Sequence, residues 1–97
     1  MWKIVYTKRA NKDKKKLKAA GLDEKAKSLV EIVRAGPFSK PPEFEPLKGN
    51  LSGSYSRRIN YQHRFVYQVI AGPFEDEDGV YEGAVKVLSM WSHYERV

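Results

Sequence analysis

The order of elements along this 97-residue sequence predicts an α+β fold. It is an antiparallel-rich, twisted sheet of about four strands carrying an N-terminal helical hairpin on one face, in the order βααβββ. Three observations lead there. Residues 8–35 place apolar side chains at helical spacing, broken once at Gly21. From Ser54 onward the apolar repeat becomes two, the period of a strand. Between them, residues 36–53 hold Pro37, Pro41, Pro42 and Pro46 and show little periodicity. Half of this length is too short to build a core, so residues 1–97 are expected to form a single domain.

Trp2 to Tyr6 is aromatic and β-branched and reads as a short strand. Thr7 is a suitable N-cap for a helix from Lys8 to about Ala20, with Gly21 as the residue that stops it. Ala10, Leu17 and Ala19 or Ala20 give this helix a narrow apolar stripe among lysines. A second helix opens at Asp23, read as its cap, buries Ala26, Leu29, Val30 and Val33, and ends at Gly36-Pro37. The very short link makes the two helices a hairpin. The proline-rich stretch is read as a loop, and a long loop in so small a domain points to function. Strands follow at Ser54 to Ile59, His63 to Ile70 and Val80 to about Trp91, the last two separated by the acidic turn Glu75 to Gly79.

Composition narrows the function classes. The absence of cysteine removes disulfides, thiolate nucleophiles and thiolate-bound zinc, and fits a reducing, cytoplasmic setting. No apolar run approaches the roughly 20 residues of a membrane span, and Met1-Trp2-Lys3-Ile4 lacks signal-peptide organisation. No membrane partner is therefore expected. The net charge of +6 is uneven. Residues 1–40 carry twelve Lys/Arg against four Asp/Glu, whereas residues 41–97 carry six against eight. Such a basic block suits a polyanion, nucleic acid first, although lysines also simply solvate helix faces.

Register adds detail. Phe65, Tyr67 and Val69 alternate toward the helices, leaving Arg64, Val66 and Gln68 on the open face. In the preceding strand Tyr55 and Ile59 take the core side and Ser54, Ser56 and Arg58 the open side; Arg57 breaks the pattern and is placed at an edge. Only a three-residue loop, Asn60-Tyr61-Gln62, keeps these faces consistent. That register sets Arg58 opposite Arg64. Like charges across a ladder repel, so an anion between them, or splaying into solvent, is required.

The acid/base groups that remain are Glu45 in the loop, Arg58 and Arg64 on the sheet, and His93-Tyr94 at the end of the last strand. His63 and His93 stand thirty residues apart, without metal-ligand spacing, and His63 is read as structural. Carboxylate, histidine and arginine suit metal-free RNA cleavage by 2′-hydroxyl attack, with a base, an acid and fixed charge on the phosphorane. The bland alternatives are that Glu45 braces the loop against Lys48 and that His93 is merely exposed.

The run Glu45-Pro46-Leu47-Lys48-Gly49-Asn50-Leu51-Ser52-Gly53, with Ser56-Arg57-Arg58-Ile59, His63-Arg64-Phe65-Val66-Tyr67 and the later His93-Tyr94, closely resembles the Txe/YoeB family of toxins. The family pattern reads EPLK-x-NLSG-x-x-SRRI, then HR-[LF]-VY, then a terminal HY. The resemblance implies a RelE-like toxin domain from a type II toxin–antitoxin system. It implies a ribosome-dependent mRNA endoribonuclease that inhibits translation and needs no cofactor. By position, Glu45 matches the general base, His93 the general acid, Arg64 the phosphate-stabilising arginine and Tyr94 a substrate-orienting tyrosine; Lys48 and Arg58 match basic groups that bind substrate. The partners implied are mRNA and the ribosome, a YefM/Axe-like antitoxin, operator DNA only through the antitoxin complex, and in some relatives a second copy of the toxin.

Departures from the pattern are the tail Glu95-Arg96-Val97 and a longer, more acidic segment from Ala71 to Gly83, expected to extend the last hairpin. The lysines at 12, 14, 15, 16 and 18 are expected to dock ribosomal RNA phosphates. Two alternatives stay open: a non-enzymatic relative of the RelE/ParE kind that inhibits DNA gyrase, and a basic nucleic-acid-binding module. Loss of toxicity on replacing Glu45 or His93 separates the enzyme from both.

Overall fold

A computed structural model describes residues 1–91. Within them the chain runs β1 (Lys3–Tyr6), α1 (Lys8–Ala19), α2 (Asp23–Ala35), β2 (Phe44–Pro46), a 3₁₀ turn (Gly49–Leu51), β3 (Ser54–Arg58), β4 (Arg64–Asp76) and β5 (Gly79–Ser89). The described strands form one sheet in the order β1-β5-β4-β3-β2. β1 is parallel to β5, and the other neighbouring pairs are antiparallel. The α+β class with its helical hairpin is as expected. The strand count is five rather than four, because β2 lies inside the stretch read as loop. Three residues ending in proline leave no alternation to detect; pairing with β3 makes them a strand.

The caps explain the helix limits. Thr7 Oγ1 accepts from Ala10 N at 3.0 Å and donates to Leu88 O at 2.8 Å, so it both starts α1 and ties it to β5. Gly21, at φ +74°, supplies the left-handed residue that ends α1. The expected cap of α2 by Asp23 is not made. Leu22 occupies the N-cap without a side-chain bond, and Asp23 is already helical. The reason is the tightness of the link: Leu22 N still donates to Leu17 O of α1 at 2.8 Å. Asp23 and Glu24 act instead as acids in the first turn, where the helix dipole favours them.

The core joins Ala10 and Leu17 of α1, Ala26, Leu29, Val30 and Val33 of α2, and Phe65, Tyr67, Val85 and Val87 of the sheet. Each large apolar side chain buried there contributes about 1.5–3 kcal/mol. Ala19 and Ala20 are exposed, contrary to the expected stripe. The third buried position of α1 is Asp13, which shares a face with Ala10 and Leu17 at spacings of three and four.

The β4–β5 hairpin runs past the core to a turn at Glu77-Asp78, and Glu75 and Asp76 belong to β4 rather than to the turn. An ion pair between Lys3 and Asp76 steadies this acidic extension. Gly83 lets Trp2 lie across β5, since a Cβ there would come within 2.3 Å of the indole and 2.5 Å of Ile70 O. No described helix is long and apolar enough to cross a membrane.

Candidate active site on the β2–β3–β4 edge

The β3–β4 connection is the three-residue loop that the faces require. Arg58 pairs with Arg64, and Ile59 N donates to His63 O at 2.9 Å. Asn60 Oδ1 holds the loop by accepting from Gln62 N at 2.9 Å and His63 N at 2.7 Å. On the far side of β3, β2 sets Glu45 opposite Ser56 and Phe44 opposite Arg57. Paired residues share a face, so Glu45, Ser56 and Val66 form one row on the side of the sheet away from the helices.

Glu45 reaches that position because its neighbour is anchored. Phe44 packs against Phe38 at 5.7 Å and Tyr55 at 5.8 Å between ring centroids. With Phe44 fixed toward the helices, strand alternation directs Glu45 to the opposite face. Arg57 supplies the second anchor. It is fully buried and donates Nη1 to Pro42 O at 2.6 Å, Nη2 to Pro37 O at 3.0 Å and Nε to Tyr67 Oη at 3.1 Å. The edge position expected for Arg57 is therefore wrong. Its guanidinium ties two carbonyls of the loop, Pro37 O and Pro42 O, to the sheet and has its own donors satisfied in the core. Tyr67 Oη in turn donates to Pro37 O at 2.7 Å, and burial pushes its pKa up against the opposing pull of Arg57.

Arg64 is the centre of the site. Its Nε donates to Ser56 Oγ at 2.5 Å and its Nη2 to Glu45 Oε1 at 3.0 Å. The Arg64 side chain is 10% exposed and that of Glu45 58%. Two bonds from one planar fork fix its plane and aim. The face is thus less open than alternation suggests. Ser54, Ser56, Val66 and Arg64 are buried, and the long arginine lies over the short serine. The two facing arginines do not both splay: Arg64 is held by the Glu45 carboxylate, and Arg58 alone of the two is exposed. Pro42, Glu43, Glu45, Arg58 and Arg64 line a cleft of about 290 Å³.

Of the expected site residues, the fold brings Glu45, Arg58 and Arg64 to this cleft. Lys48 is exposed, just before the 3₁₀ turn, and is not part of the lining. Glu45 pairs with Arg64. His93 and Tyr94 lie outside the described residues, two and three places beyond Trp91. His63 is buried, its ring stacked on Trp91 at 3.9 Å and 21°. Among the described residues no cluster of three or more His, Cys, Asp or Glu side chains could hold a metal ion. Sequence reasoning missed Arg57 and Asp13. The signals were there: a charge that broke the alternation, and a lone acid on an apolar stripe.

A family model described as the YoeB-like toxin of bacterial type II toxin–antitoxin systems matches residues 5–94. A toxin YoeB of Synechocystis sp. is 38% identical over 84 residues, covering 87% of this chain and 78% of the relative. Among solved structures, a YoeB/ParE toxin from Agrobacterium tumefaciens superposes with a TM-score of 0.78 at 31% identity, covering 95% of this chain and 99% of its own. A YoeB–YefM complex from Staphylococcus aureus gives 0.69 at 32% identity, covering 97% of this chain and 99% of the other.

Proposed function

Because the chain belongs to the YoeB-like toxins of bacterial type II toxin–antitoxin systems, we propose that it is a ribosome-dependent mRNA endoribonuclease. The observation that carries this reading is the Glu45–Arg64 pair at 3.0 Å, with Arg58 beside it in one cleft. In the proposed reaction Glu45 takes the proton of an RNA 2′-hydroxyl. The 2′-oxygen bonds to the adjacent phosphorus, and the bond from phosphorus to the 5′-oxygen breaks. His93 gives its proton to that departing oxygen, leaving a 2′,3′-cyclic phosphate and a free 5′-hydroxyl. Arg64 meets the charge that grows on the phosphorane oxygens, and its preset orientation lowers the reorganisation cost. Arg58 and Lys48 hold flanking phosphates, and Tyr94 orients the substrate. DNA lacks the attacking hydroxyl, so the chemistry itself selects RNA.

The partner proposed for neutralisation is a YefM/Axe-like antitoxin, which also carries the toxin to operator DNA. The complex formed by the Staphylococcus aureus relative supports it. The decisive experiment maps mRNA ends in a purified translation system. Discrete cuts in the decoding site that vanish with Glu45→Gln and with His93→Gln are expected. Translation and message left intact by the wild-type protein would overturn the reading and return attention to DNA gyrase and simple binding.

A further inference from the structure

Three polar side chains from three neighbouring strands meet on the side of the sheet away from the helices: Glu45 of β2, Ser56 of β3 and Arg64 of β4. Ser56 pairs with Glu45 on one side and with Val66 on the other, so Arg64 is its diagonal neighbour on the same face. Diagonal neighbours lie about 7–8 Å apart, a gap that a long side chain can close. Arg64 closes it: Nε donates to Ser56 Oγ at 2.5 Å, and Nη2 passes on to Glu45 Oε1 at 3.0 Å. The two acceptors are not alike. Ser56 is fully buried on a strand paired along both edges. Glu45 is half-exposed on an edge strand of three residues. They also differ in what the proposed reaction does to them. As the base, Glu45 takes the 2′-hydroxyl proton and becomes a neutral carboxyl. Its attraction for Arg64 then falls away, while negative charge grows on the phosphorane and Arg64 has to be in place. The serine hydroxyl does not titrate in this step, and its oxygen is an acceptor before and after the proton moves.

We infer that Ser56 is a positioning residue for Arg64, whose hydroxyl keeps the guanidinium aimed through the step in which Glu45 gives up its charge. The inference rests on the proposed roles of Glu45 and Arg64. It divides the work of the two anchors: the carboxylate sets Arg64 in the resting site, and the hydroxyl holds it in the transition state. Charge stabilisation is sensitive to such aim, since a misplacement of 1 Å costs about 100-fold. Because the effect falls on the transition state, it belongs in kcat rather than in KM.

The test is a double-mutant cycle in the full-length protein: wild type, Ser56→Ala, Arg64→Gln and the two together, in single-site mRNA cleavage on programmed ribosomes. Solvent exchange of the Arg64 Nε–H proton is read by NMR in parallel. Ser56→Ala is expected to lower kcat about 10- to 50-fold with KM within about 2-fold, and to speed that exchange. In the Arg64→Gln background the same change is expected to cost less than about 2-fold, because residues that act as one unit are not additive. Unchanged kcat in Ser56→Ala overturns the inference. So does a loss of equal size in both backgrounds, which would mark a general effect on the fold, and so does a loss of kcat that leaves the exchange of Nε–H as it was. Should Ser56→Ala not fold, Ser56→Cys is read in its stead. It sets a weak sulfur acceptor at the same place and is expected to lower kcat about 3- to 10-fold, and no change overturns the inference. The two failures are distinguishable. If Arg64→Gln cuts like wild type, the functional reading fails and takes the inference with it. If Arg64→Gln is impaired and Ser56→Ala is not, the inference alone fails.

Discussion

Arg57 and Arg58 are neighbours on β3, yet they face opposite sides of the sheet and do different work. Arg57 is fully buried and spends its guanidinium on two loop carbonyls and a tyrosine hydroxyl. Arg58 is exposed at a cleft, opposite Arg64. One arginine holds the loop that presents Glu45; the other lines the cleft, where we propose that it binds a phosphate. The difference teaches that adjacent identical residues in a strand carry unrelated roles, because a period of two hands them to different environments.

The largest expected effect is on the helix-facing side. Arg57→Ala removes three hydrogen bonds, those to Pro42 O, Pro37 O and Tyr67 Oη, and leaves a void in the core. It should cost about 3–5 kcal/mol in urea unfolding, whereas Arg58→Ala should change stability by less than about 0.5 kcal/mol. Equal losses for the two would break the comparison. Next comes the cleft side. Arg64→Gln is expected to lower the cleavage rate about 100- to 1,000-fold, and single-turnover kinetics on ribosome-bound message would show it. Its stability cost should be only about 1–2 kcal/mol, from the lost bonds to Ser56 and Glu45.

A smaller effect tests the lysines of α1. Lys14 lies over the Tyr6 ring at 3.4 Å, so it is left in place. Reversing Lys12, Lys15 and Lys16 to glutamate should weaken ribosome binding and flatten its dependence on salt, with melting temperature little changed. Unaltered binding would remove α1 from the docking surface.

The smallest effect is alkaline. Tyr67 is held neutral by burial, with Arg57 opposing, so its folded pKa lies above its unfolded one. Above about pH 10 the unfolded chain releases its proton first. Stability is then full below pH 10 and falls as the pH rises through the folded pKa. Tyr67→Phe should weaken this alkaline decline in a pH series of unfolding curves. It should not abolish it, because burial raises Tyr6 as well, despite the lowering pull of Arg34.

Much of this was legible in the residues. Thr7 and Gly21 delimit α1 by local backbone chemistry, which needs no distant partner. The four apolar residues of α2 fall on one face by periodicity alone. The Arg58–Arg64 register followed from requiring both strands to keep their apolar sides together. Glu45 and Arg64 are recognisable as candidates one by one, yet their ion pair spans 19 residues of sequence and depends on β2.

By itself, then, the sequence determined the helices, the alternating faces of β3 and β4 and the register of their hairpin, because these follow from contacts between near neighbours. Only the tertiary structure decided that Phe44–Pro46 is a strand, that Arg57 is a core residue and that Asp13 is bound to Met90. Each of those depends on a hydrogen-bond partner brought from elsewhere in the chain. A polar group meets such a partner only after the apolar surfaces have closed around it, and no local pattern records which one it will be.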